Sequence, residues 1–124
     1  IADPADAAAA LRLSGADGVM VGRGVRGRPW RLAGIAAALQ GAPVPAPPAG
    51  AALCDMVAGH YAAMLGFYGR DLGLRVARKH LGWYMDAAGT DPALRRRLLT
   101  ASDPRAVCDG LPDALAAPHQ RAAA

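Results

Sequence analysis

A chain of 124 residues holds one domain or two small pieces, which excludes a complete large enzyme. Much of its hydrophobic share of 53% is alanine, with a single Phe, so the core must be helical and thin. The net charge of +4 is carried almost wholly by arginine, since Lys79 is the only lysine; that suits a carboxylate, phosphate or nucleic-acid partner, although a GC-rich genome produces the same composition.

Asp3, Pro4 and Asp6 read as an N-cap, a first-turn proline and a first-turn acid, predicting a helix through the alanines to about Leu13. Ser14 to Gly18 end it. Val19 to Val21 form a β-branched run that predicts a short buried strand, and the glycine-rich turn after it carries Arg23, Arg26 and Arg28. Glycines let backbone N–H groups approach an anion and arginines close on its oxygens, so the turn fits a phosphate cradle; a tight connection fits it as well. A helix from about Pro29 to Leu39 follows. Residues 1–40 are thus expected to be helix, strand, helix. A lone strand cannot satisfy its own backbone, so an α/β segment of a larger domain is expected, and the start at Ile1 suggests a piece of a longer chain.

Residues 41–50 are too rich in proline for a helix and read as a semi-rigid linker. Residues 51–117 read as helical throughout. Leu53, Val57, His60, Tyr61, Met64 and Tyr68 form one apolar stripe between about 51 and 69, and a second helix runs from about Leu72 to Ala88, ending at Gly89. Asp91-Pro92 and Asp103-Pro104 each open a short helix, completing a four-helix antiparallel bundle ahead of a flexible tail at 118–124.

At about 100° per residue, the helix from 72 to 88 gathers Arg75, Arg78, Lys79, Gly82 and Asp86 into one sector. Asp86 is the only acid in that stretch, and an uncompensated basic sector favours contact with an RNA backbone over a merely solvated surface. His80 falls in the apolar arc, so a buried, hydrogen-bonded role is expected rather than a catalytic one. Trp83 lies nearer the basic edge, where core packing is favoured over base stacking. The consecutive Arg95, Arg96 and Arg97 cannot all point one way; two are expected outward and one over the core. Cys54 and Cys108 show neither a CxxC nor a His-rich neighbourhood, so no disulfide framework or metal site is expected, and with no signal peptide or long apolar run the expectation is a cytoplasmic protein without membrane association.

Ser14 to Gly24, with Gly27-Arg28-Pro29-Trp30, resembles the last barrel strand and following turn of the tRNA-dihydrouridine synthases. Arg78-Lys79-His80-Leu81-Gly82-Trp83-Tyr84 resembles a motif of their C-terminal helical domain, most like the bacterial B-type enzymes. The resemblance implies the C-terminal part of a flavin-dependent TIM barrel joined to a four-helix tRNA-recruiting domain. Such enzymes, monomeric by this analogy, reduce a uridine C5–C6 double bond in tRNA with FMN and NADPH. Gly22 and Arg23 would then contribute to the FMN phosphate site, and Arg75, Arg78 and Lys79 would face tRNA. The family's uracil-protonating cysteine belongs to an earlier barrel loop, as do its flavin- and substrate-contacting lysine and histidine, and its Asn-Gly-Asp would fall just before Ile1. No catalytic residue is therefore expected here, and the segment alone is expected to be inactive. Two rival readings are a non-catalytic helical RNA-binding module and a fragment of another flavin-dependent TIM-barrel oxidoreductase.

Overall fold

The computed structural model describes residues 1–116; the tail expected at 118–124 lies outside them. Its helices are α1 (Pro4–Ser14), α2 (Arg31–Leu39), α3 (Gly50–Tyr68), α4 (Arg70–Ala88), α5 (Pro92–Thr100) and α6 (Pro104–Leu115), with one 3-10 turn at Arg23–Val25. The chain divides into two compact units, Ile1–Pro48 and Ala49–Ala124.

Three helices start on the same device. Asp3, Asp91 and Asp103 each stand at the N-cap before a proline, their carboxylates accepting from backbone N–H groups of Asp6, of Ala93 and Leu94, and of Arg105. The cap satisfies donors that have no partner inside the helix, and the proline occupies a position where no N–H is needed. Gly15 and Gly89 close α1 and α4 in the left-handed conformation, each at φ 66.

The first unit corrects the expected α/β class. No strand occurs among the described residues, and both units are helical. Residues 18–22 carry no regular secondary structure, and Met20 is 89% exposed between half-buried Val19 and Val21. The two valines line a hollow against Leu32, Ile35 and Leu39 of α2. The in-and-out alternation of a strand is therefore present, but the ladder is not, because no segment among the described residues pairs with its N–H and C=O groups. A helix–strand–helix piece of a TIM barrel is not what this chain forms. The glycine-rich turn winds into the 3-10 turn, and Arg31 reaches back from α2 to donate to the Gly24 carbonyl at 3.1 Å. The proline-rich segment folds onto the same unit: Val44, Pro45 and Pro47 line a cleft of about 370 Å3 with Trp30 and Arg31.

In the second unit α3 and α4 share the largest interface, and α6 packs on both. Gly69 (φ 77) is the only residue between the two long helices, a conformation a side chain rarely adopts. His60 meets Tyr84 and His80, while Gly73 lies against Met64 and Leu65, the pairing of antiparallel neighbours. A Cβ on Gly73 would stand 2.9 Å from the Leu65 Cα, so the helix backbones touch there. Val57, Tyr61, Ala77, Leu81, Met85, Val107 and Leu111 fill the core between them. Thr90 Oγ1, buried after α4, donates to the Ala114 carbonyl at 2.6 Å and fixes the end of α6, whose last turn contains Pro112.

Two glycine substitutions separate packing from propensity. Gly73→Ala forces helix backbones apart and is expected to lower stability by about 1–3 kcal/mol. Gly59→Ala, with nothing within 4 Å of the added Cβ, is expected to raise it by up to about 1 kcal/mol through helix propensity. Urea unfolding followed by far-UV circular dichroism measures both, and a neutral Gly73→Ala would refute the close approach.

Candidate nucleic-acid interface

α4 positions the basic side chains by its period. Arg75, Arg78 and Lys79 lie at i, i+3 and i+4, which places them on one face, and all are exposed. Among the described residues none of these cations has an ion-pair partner within 4 Å. The opposite side of the helix carries Gly73, Ala77, Leu81, Tyr84 and Met85 into the core. An exposed guanidinium without a carboxylate keeps its full fork of donors for a phosphate.

The two acids of this face behave differently. Asp86 is held by Arg95 of α5, with Nε to Oδ1 at 2.8 Å and Nη2 to Oδ2 at 3.3 Å. That fork neutralises Asp86 from another helix and leaves Arg78 and Lys79 uncompensated. The Arg95 guanidinium lies over Gly82, where a Cβ would meet Nη2 at 3.0 Å, so Gly82 is buried rather than part of an open basic face. Asp71 is the acid that sequence reasoning missed. The helix begins at Arg70 instead of about Leu72, which brings Asp71 into the first turn, four residues before Arg75. The glycine break at 69 was the available signal. Arg96 and Arg97 are exposed on α5 while Arg95 is half-buried, giving the expected two-and-one division of that triplet.

Behind the basic face lies a ring cluster. Tyr84 Oη and His60 Nδ1 stand 3.0 Å apart, and the His60 and His80 rings meet edge-to-face at 4.9 Å. Trp83 packs edge-to-face on His80 at 5.0 Å. Burial pushes the Tyr84 phenol up, so the hydroxyl that faces His60 Nδ1 keeps its proton. His80 is half-buried, and the cluster joins α3 to α4. The Tyr61 hydroxyl is buried without a hydrogen-bond partner among the described residues. Burial pushes its phenol up, reinforced by Cys108 and Asp103 and opposed by the charges of Arg70 and Arg78.

The glycine-rich turn belongs to the first unit. Gly22 and Arg23 are both exposed, and a Cβ on Gly22 would meet nothing within 4 Å. The Arg23 guanidinium has no ion pair among the described residues. Open backbone next to an uncompensated guanidinium is compatible with a phosphate dianion. No group of three His, Cys, Asp or Glu residues converges as a metal site among the described residues, and no described helix is long and apolar enough to cross a membrane.

The chain matches the dihydrouridine synthase (Dus) family over residues 1–119. It is 58% identical over 106 residues to a probable tRNA-dihydrouridine synthase of Rhodobacter capsulatus, covering 86% of this chain and 32% of that protein. A probable tRNA-dihydrouridine synthase of Mycobacterium tuberculosis is 41% identical over 98 residues, 79% of this chain and 25% of the relative. tRNA-dihydrouridine synthase B of Xanthomonas axonopodis is 48% identical over 84 residues, 68% of this chain and 25% of the relative. The chain thus spans about a third or less of the curated relatives it matches.

Both thiols are poor nucleophiles. Burial pushes Cys54 and Cys108 above their ordinary value of 9.0, with Asp55 and Asp109 adding to the effect. Because the thiolate is the reactive form, alkylation by iodoacetamide at pH 7 is expected to be slower for each than for an unstructured cysteine peptide, and its rate is expected to keep rising with pH beyond 9, where the peptide's levels off. Equal rates at pH 7 would contradict the assignment.

Proposed function

The chain belongs to the dihydrouridine synthase family, and we propose that it is the C-terminal share of a tRNA-dihydrouridine synthase whose α4 face holds the tRNA backbone. The observation that carries this reading is the row of Arg75, Arg78 and Lys79, exposed and without an ion pair among the described residues, on a helix whose other side builds the core. Phosphates meet such a row without first displacing a carboxylate, and the counterions they release drive binding. The family match supports tRNA over other polyanions.

Gly22 and Arg23 contribute to the same proposal as contacts to the FMN phosphate. Their fit rests on the open space at Gly22 and on the Arg23 guanidinium, which has no ion pair among the described residues. FMN held there and reduced by NADPH would supply a hydride to the uridine C5–C6 bond, and a proton would complete its saturation. This chain's own part is to hold a phosphate at Arg23 and the nucleic acid at α4. Neither Cys54 nor Cys108 is assigned as the acid that protonates the uracil. A monomeric, cytoplasmic enzyme belongs to the same reading.

The two contacts are tested separately. Arg78→Ala should weaken binding of a tRNA transcript and make the slope of log K against log salt shallower by about 0.7 to 1; an unchanged slope would remove Arg78 from the interface. In a protein that carries the complete flavin site, Arg23→Ala should reduce the flavin retained after gel filtration. Unchanged occupancy would remove Arg23 from the phosphate site.

A further inference from the structure

The hairpin of α3 and α4 ends in an apolar tip that its own core does not use. Phe67 is the only phenylalanine of the chain, yet it is 83% exposed. Tyr68 and Leu72, on either side of the Gly69 break, are 44% and 45% exposed. In an alanine-rich chain a phenylalanine has one of the largest apolar surfaces to contribute, and here the described residues cover little of it. The Phe67 and Tyr68 rings meet edge-to-face with centroids 4.9 Å apart. That contact steadies Phe67 and leaves a ring face open.

The tip continues into the basic face. Leu72, Arg75 and Lys79 follow one another at i, i+3 and i+7 along the same side of α4. From Arg70 to Arg75 the helix rises about 8 Å, roughly two nucleotides of a stacked strand. A protein partner is disfavoured because interface cores are depleted of charge, whereas this apolar tip runs directly into cations that have no ion pair among the described residues. Aromatic faces beside a basic track are the surface on which single-stranded nucleic acid binds.

We propose that Phe67, supported by Tyr68, is a stacking platform for an unpaired base of the RNA strand whose phosphates lie along Arg75, Arg78 and Lys79. The proposal rests on the reading of α4 as the RNA face. It assigns the tip no base identity, since stacking accepts any base. Asp71, at the junction, disfavours a phosphate beside the ring and leaves that place to the base.

The test uses the whole 124-residue chain, a fluorescently labelled unmodified tRNA transcript and a fully paired RNA duplex. Phe67→Ala should weaken tRNA binding about tenfold with no change in salt slope, because the lost contact is uncharged. Phe67→Tyr should retain affinity and Phe67→Leu should not restore it. Duplex binding should be unaffected, as should the thermal midpoint of the free chain, Phe67 being exposed. Full affinity with leucine would show a simple apolar contact and overturn the platform. Unchanged tRNA binding by Phe67→Ala, alongside weakened binding by Arg78→Ala, would overturn the platform and leave the α4 reading standing. Self-association lost in Phe67→Ala without any effect on RNA would mark a protein surface and overturn it too. Absence of salt-dependent binding by the unaltered chain would overturn both readings.

Discussion

The missing side chain at Gly73 lets the backbone of α4 come down onto α3 at Leu65, and that approach governs the rest of the helical unit. With the two axes held close at the Gly69 end, His60 comes within reach of the Tyr84 hydroxyl and the His80 ring farther along. One face of α4 is thereby committed to packing. The helix period then leaves Arg75, Arg78 and Lys79 on the other face. The basic surface is what remains after the core has taken its share.

The charge of that surface depends on a contact made by a different helix. Asp86 is on α4, but the bidentate fork that occupies it comes from Arg95 on α5. An exposed pair of this kind contributes little to stability, with both side chains a third or more exposed. Its larger effect is on the field: with Asp86 neutralised, the attraction of the row of cations for a polyanion is not diminished at that end.

What the sequence reveals and what it hides divides by range. The Asp-Pro starts at Asp3, Asp91 and Asp103 and the glycine ends at Gly15 and Gly89 are local chemistry, and they were legible. The basic row on α4 was legible because helix period is local too. The strand at Val19 to Val21 failed because a strand needs a partner, and propensity says nothing of whether one is present. The valines kept their alternation against α2, so the pattern was real while the pairing was not. Arg95 over Gly82 and on Asp86 was hidden by being non-local. The start of α4 at Arg70 was misplaced by two residues, enough to leave Asp71 out of the charge count. Phe67 was passed over because a lone aromatic in a helical stretch reads as core, and only burial distinguishes the two.

The single-residue break at Gly69 also bears on how the unit assembles. Closing a loop of one residue consumes little chain entropy, and the contacts that follow join residues close in sequence. The α3–α4 hairpin is therefore the cheapest part of the unit to nucleate, whereas α6 must return across α4 and α5 to reach α3. On this topology the scaffold of the basic face belongs to the early-forming part of the chain, and the late docking of α6 seals a core around it.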